Sequence, residues 1–144
     1  MEGVNEISEF DKIIHGQICP YCNCETELVS DKEIYGPSAT YNKNFYRCIQ
    51  NHDHYVGTYD DNKKSLGRLA DKDLRPMKRN AHDALDPLWR DKPSRFKNRY
   101  QAYKWLSAQM SLDSKYTHIG MFTAEQCIDA IAHCSKLQLV FKKL

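Results

Sequence analysis

No apolar run in this sequence approaches the roughly 18 residues that a membrane-spanning helix needs, so no membrane segment is expected. Met1 to Phe10 carries three Glu residues and nothing that resembles a secretory signal, so a reducing, cytoplasmic setting is expected. A Gly/Ser linker, an internal repeat and a low-complexity tract are all lacking, which leaves one compact unit as the natural organisation. Also lacking are a glycine-rich phosphate loop, a nucleophile elbow, a nuclease signature and a second acidic pair at metal-ligand spacing. Those absences remove the usual starting points for nucleotide-driven or hydrolytic chemistry, and an enzyme is not the expected reading.

What is present begins with cysteine. Six cysteines occur in the 144 residues, and Cys19-Pro20-Tyr21-Cys22-Asn23 is the most informative stretch. Two residues between thiols let both sulfurs reach one metal ion from a tight turn, at roughly 2.3 Å each. Pro20 pre-sets φ at the first inner position of that turn, and Asn23 tolerates the left-handed conformation needed just after the second ligand. Twenty-five residues separate Cys22 from Cys48, which opens a second pair, Cys48-Ile49-Gln50-Asn51-His52. His54 stands as an alternative fourth ligand and Cys24 as a spare thiol. The expected set is Cys19, Cys22, Cys48 and His52 around one zinc ion. Four protein ligands close the shell and leave no position for a substrate, so the zinc is expected to be structural. A disulfide framework, the rival account of the cysteines, suits secreted chains. Cys127 and Cys134 fall in an expected helix far from the cluster and read as small buried apolar residues.

The net charge of +2 says little, but its distribution is uneven. From Met1 to Asp61, 4 Lys/Arg stand against 11 Asp/Glu, a net of −7; from Lys63 to Lys104, 13 Lys/Arg stand against 5 Asp, a net of +8. A basic segment carrying Trp89, Phe96, Tyr100, Tyr103 and Trp105 is a cue for nucleic acid, because rings beside cationic grooves hold single strands by stacking. A pair of solvated helices with Lys/Arg faces accounts for the same charges, and the aromatics fall at a spacing that also suits a helix core.

Patterning changes along the chain. Leu28-Val29, Glu33-Ile34-Tyr35, Phe45 to Cys48 and Tyr55 to Tyr59 read as short strands around the ligand pairs, with a turn at Gly36-Pro37. Beyond about residue 66 the period becomes helical. Leu74, Met77, Ala81, Leu85 and Leu88 form one stripe, opposite Arg75, Lys78, Arg79 and His82, and Pro87 ends or kinks that helix. A second helix is expected from about Ser94 to Met110, burying Phe96, Tyr100, Tyr103, Leu106 and Met110. Thr123-Ala124-Glu125-Gln126 is a capping-box pattern opening a third, with Cys127, Ile128 and Ile131 inward. Leu139-Val140-Phe141 reads as a closing strand or a helix tail. The fold class is therefore α+β: a small β-rich zinc ribbon over residues 1–65, then about three helices over 66–144, packed as one unit.

The order of motifs resembles a phage and prophage family of unknown function, described as a zinc-finger-containing domain. The resemblance runs from Cys19 to about Ile131. It rests on the Cys-Pro-x-Cys knuckle, His52-Asp53-His54-Tyr55-Val56-Gly57, Leu66-Gly67-x-Leu69-Ala70, Ala81-His82-x-x-Leu85-Asp86-Pro87-Leu88-Trp89, Ala102-Tyr103-x-Trp105-Leu106 and His118-Ile119-Gly120-Met121-Phe122. The family usually has cysteine at the position of His52 and a small residue at that of His54. The first departure turns a four-cysteine site into three cysteines and a histidine, which zinc accepts. The resemblance implies a phage-encoded protein acting in the host bacterial cytoplasm, and supplies no reaction.

Two functions follow as expectations. One is nucleic-acid binding through Arg68, Arg75, Lys78 and Arg79; the other is capture of a host protein, in which the acidic first third matters more. A metal-assisted nuclease using His82, Asp86 and His118 is a distant third, since His82 and Asp86, four apart on a helix, more simply form an ion pair.

Overall fold

The computed structural model describes residues 8–143, with side chains described through Val140. No helix among them is long and apolar enough to cross a membrane. The chain divides into two units, one up to Lys72 and one from Asp73 onward, and the class is α+β.

The first unit opens with helix α1 (Glu9–Ile14), capped by the Ser8 hydroxyl, which accepts from the Asp11 amide at 3.1 Å. Gly16 follows at φ +77°, and a Cβ there would meet the Ser65 Cβ at 3.0 Å. Only glycine meets both demands. The chain then makes the Cys19–Cys22 turn and enters strand β1 (Thr26–Ser30). Glu33 to Tyr35, expected as strand, instead lies in a short helix, α2 (Asp31–Tyr35). Ser30 precedes an acidic first turn, which favours a helix start, and Gly36 at φ +108° ends it. Strands β2 (Asn44–Cys48) and β3 (Tyr55–Gly57) complete an antiparallel sheet of order β1-β2-β3. The register pairs Thr26 with Cys48 and Tyr46 with Val56. β3 stops at Gly57, short of the expected Tyr59, because Thr58 bridges only Ser65 and its buried hydroxyl donates to the Asn44 carbonyl at 3.0 Å. Leu69 and Ala70 belong to this unit: both are buried, and Ala70 exchanges backbone bonds with Tyr55.

This unit has a thin apolar core. Its buried hydrophobic cluster consists of Cys19, Cys48, Val56 and Leu69, with Cys22, Cys24 and Tyr46 packed against it. The sheet face turned toward that cluster carries Tyr46, Cys48 and Val56. The opposite face carries Phe45, Arg47 and Tyr55, where Tyr35 packs edge-on to both Phe45 and Tyr55.

The second unit is helical: α3 (Leu74–Leu85), α4 (Pro87–Arg90), α5 (Arg99–Met110) and α6 (Ala124–Lys143), with 3₁₀ turns at Ser114–Tyr116 and Ile119–Met121. Pro87 begins a new turn at Asp86, as its missing N–H requires, so the first expected helix breaks where its sequence demands. The capping box is reciprocal: the Gln126 amide donates to the Thr123 hydroxyl at 3.2 Å, and the Gln126 side chain accepts from the Thr123 amide at 2.9 Å. Leu139 to Phe141 continue this last helix.

α3 and α6 make the unit's most extensive helix contact. Leu74, Ala81, Leu85, Leu88, Leu106, Phe122, Cys127 and Cys134 are buried. α5 starts at Arg99 rather than Ser94, because the Asn98 side chain caps it by accepting from the Gln101 amide at 2.9 Å. Two residues expected inside lie outside. Tyr100 is 70% exposed and Ile128 is 57% exposed. In each helix the buried line runs through smaller residues instead, Ala102 and Leu106 in α5, and Cys127, Ala130 and Cys134 in α6, at three- and four-residue steps.

Truncating Leu85 to Ala should therefore lower unfolding free energy by about 2–5 kcal/mol. Ile128→Ala, at an exposed position, should change it by about 0.5 kcal/mol or less. Urea denaturation of both variants compares them, and equal losses would return Ile128 to the core.

Candidate metal centre

Two short loops build the centre. In the first, the Cys19 amide donates to the Cys24 carbonyl at 2.8 Å and the Asn23 amide to the Cys19 carbonyl at 2.8 Å, while Asn23 takes φ +56°. The amides of Cys22 and Tyr21 point at the Cys19 sulfur. In the second, the amides of Gln50 and Asn51 donate to the Cys48 sulfur, each at 3.3 Å, and the Cys48 amide donates to the His54 carbonyl at 2.9 Å. Each loop thus aims a pair of amides at its leading sulfur, an arrangement that favours thiolate over thiol.

Cys19, Cys22, Cys48 and His54 bring one donor atom each to within 4.8 Å of every other. Cys19 and Cys48 are fully buried and His54 is buried too. His54 Nδ1 lies 3.5 Å from the Cys19 sulfur and 3.8 Å from the Cys22 sulfur. Zinc bonds of about 2.3 Å to sulfur and about 2.0–2.1 Å to nitrogen place S and N about 3.5 Å apart on a tetrahedron. The donor set fits a zinc ion in chemistry, and the two distances from His54 to sulfur fit it in spacing.

The fourth donor corrects the expectation of His52. That side chain is 62% exposed, with Nε2 3.8 Å from a Glu27 carboxylate oxygen. It sits at the tip of a turn in which Asn51 accepts twice, from the Asp53 amide through its side chain at 3.0 Å and from the His54 amide through its carbonyl at 3.1 Å. The turn throws His52 outward and returns the chain to the ladder at His54, opposite Cys48. The available signal was strand alternation: Val56 faces the core, so the residue two before it does also. Tyr21 reinforces the choice, since its ring lies 4.5 Å from the His54 ring while its hydroxyl accepts from the Asp71 amide at 3.1 Å.

Proton affinities within the cluster are unequal. Burial pushes the Cys19 thiol up to about 12 despite the amides of Cys22 and Tyr21. Burial also raises Cys22. It opposes ionisation at Cys48 as well, but there the Asn51 and Gln50 amides, with the Cys24 and Cys19 thiols, outweigh it and hold the group down at about 6. A divalent cation reverses the burial penalty, because a coordinated thiol is deprotonated outright.

The other expected site residues fall in both units. Arg68 lies in the first unit; Arg75, Lys78 and Arg79 lie on α3, where Lys78 Nζ donates to the Gly120 carbonyl at 2.8 Å and Arg79 is exposed. His82 Nδ1 is 3.5 Å from Asp86, whose other oxygen accepts from the Trp89 indole at 3.1 Å. His118 packs on the Tyr103 ring at 5.3 Å. No second group of three or more metal-ligating side chains forms among the described residues.

A Cys3His set held by two loops at one end of a small antiparallel sheet defines a zinc-finger type of site. The model of a family described as a zinc-finger-containing domain matches residues 15–137, and the chain belongs to that family. No curated protein and no solved structure matches the chain.

Two outcomes test the centre. His54→Ala should abolish stoichiometric zinc binding while His52→Ala retains it, as read by elemental analysis of purified protein; the reverse pattern would restore His52. Because the Cys19 and Cys22 thiols are raised and hold their protons near neutral pH, zinc uptake should release protons, and affinity should fall as pH falls. Competition with a chromogenic chelator at several pH values reads that slope, and a pH-independent affinity would contradict it.

Proposed function

We propose that this is a zinc-stabilised nucleic-acid-binding protein, in which one zinc ion is structural and a basic, aromatic surface around α4 and α5 holds single strands. The structural role rests on the thin core of the first unit, where the buried cluster contains two of the donor thiols beside Val56 and Leu69. Two cysteines, one valine and one leucine bury little apolar area, whereas a closed tetrahedral site contributes about 10–16 kcal/mol of coupled folding energy in small zinc modules.

The observation that carries the nucleic-acid reading is a set of cations paired with rings. Arg99 lies over Trp89 at 5.1 Å, Arg95 over Phe96 at 5.7 Å and Lys104 over Tyr100 at 5.8 Å. Between Trp89 and Lys104 six Lys/Arg stand against Asp91 alone, a net of +5. Tyr100, being 70% exposed, is free to take a base on its face. Arg79 adds an exposed cation on α3, and Arg75 on the same helix is a supporting candidate. Lys78 is held by the Gly120 carbonyl, so its contribution to a phosphate is smaller.

A second reading, capture of a host protein, is favoured by the acidic ribbon's aromatic face. Tyr41 is 65% exposed and Tyr35 is 52% exposed, with ring centroids 5.1 Å apart. Such a patch on an anionic surface suits a cationic protein better than a polyanion.

Replacing Arg95, Arg99 and Lys104 by Ala should weaken binding to single-stranded DNA or RNA almost equally across sequences. It should flatten the dependence on salt by about two in log–log slope, at ~0.7 for each phosphate no longer neutralised. Tyr100→Ala should cost about 1–3 kcal/mol with single strands and less with duplex. Fluorescence anisotropy at low salt reads both. No binding at micromolar protein would remove this reading and leave protein capture.

A further inference from the structure

Cys24 lies beside the metal centre without belonging to it. Its sulfur is 3.4 Å from that of Cys48, yet the donor set is complete with Cys19, Cys22, Cys48 and His54. The backbone holds the two cysteines side by side: the Cys19 amide is bonded to the Cys24 carbonyl at 2.8 Å, the Ile49 amide to the Glu25 carbonyl at 3.4 Å, and Thr26 is paired with Cys48. Cys24 is half-buried while Cys48 is fully buried, so of these two an oxidant arriving from solvent meets Cys24 before Cys48.

We infer that Cys24 is an oxidant-responsive thiol that reacts with a peroxide and then joins Cys48 in a disulfide, withdrawing Cys48 from the metal-binding set. The chemistry balances without a further reagent. The Cys24 sulfur attacks one peroxide oxygen, the O–O bond breaks, and Cys24 becomes a sulfenic acid with release of water. The Cys48 sulfur then attacks the sulfenic sulfur, the S–S bond forms, and the S–O bond breaks to release a second water. Two thiols lose two electrons and two protons, and one hydrogen peroxide becomes two waters. The sulfurs must close from 3.4 Å to about 2.0 Å. Reduction by a dithiol restores both thiols and returns Cys48 to the donor set.

A filler role for Cys24, which packs on the buried cluster with Cys22 and Tyr46, makes a different forecast. A filler can be replaced by Ser or Ala without changing how the metal responds to oxidant. The remaining thiols, Cys127 and Cys134, are buried in the second unit and serve as internal controls.

The test uses the zinc-loaded full-length chain, titrated with hydrogen peroxide while a chromogenic chelator reports zinc release. Non-reducing peptide mapping, fragmented to residue level, locates any disulfide. Zinc release should accompany a Cys24–Cys48 link, be reversed by dithiothreitol, and slow at least tenfold in Cys24→Ser or Cys24→Ala, both of which still bind zinc. Release at the wild-type rate in those variants, or a wild-type link at Cys19–Cys22 in place of Cys24–Cys48, would overturn the inference. The metal-release readout rests on the zinc assignment, while the mapped disulfide does not. A preparation that takes up no zinc therefore refutes that assignment, and the Cys24–Cys48 link is still decided by mapping.

Discussion

Closure of the Cys19 and Cys48 loops on one centre is the constraint from which the first unit's architecture follows. A three-stranded sheet of five, five and three residues buries little on its own. Its inner face meets sulfurs where a larger domain would have Leu or Phe. In the proposed reading a zinc ion held there would take the place of a core, fixing the two loops and through them the ends of β1, β2 and β3. The amides aimed at Cys48 hold its thiol down at about 6, whereas at Cys19 burial outweighs the two amides and the thiol keeps its proton until a cation arrives. Tyr21 holds the imidazole from the other side.

The second unit is organised differently. There α3, α5 and α6 bury Leu74, Leu85, Leu106, Phe122 and their neighbours in an ordinary apolar interior. Cys127 and Cys134 take part as small apolar residues, and burial pushes the Cys134 thiol up to about 12, which makes it an inert packing group. With its interior filled in this way, the unit leaves Tyr100 at the surface beside Lys104. That placement is what the nucleic-acid reading uses.

Much of this was legible in the residues. The knuckle at Cys19 and Cys22 was readable because Pro20 and Asn23 have few other purposes at those positions, and Thr123 with Gln126 announced α6 through a bond pattern confined to one turn. The break at Pro87 was equally local. The misreadings share a cause, which is that the deciding interaction lay elsewhere in the chain. His52 and His54 have the same chemistry, and the choice between them depends on the Asn51 turn and on pairing with Cys48. Glu33 to Tyr35 has strand-like residues but follows Ser30 and Asp31, and the buried Asp31 carboxylate accepts from the Asn42 amide at 3.1 Å. Ile128 and Tyr100 are strongly apolar, yet the helix face that meets neighbours passes through alanine and cysteine, which periodicity of large side chains alone does not reveal.

The central claim is that three sulfurs and one imidazole nitrogen hold a zinc ion that organises the first unit. Zinc K-edge absorption fine structure on the purified chain measures it directly. The account predicts a shell of three sulfurs at about 2.3 Å and one nitrogen at about 2.0–2.1 Å, lost or altered in His54→Ala and unchanged in His52→Ala. A shell of four sulfurs would put Cys24 in the place of His54, and an oxygen-bearing open shell would contradict a structural site.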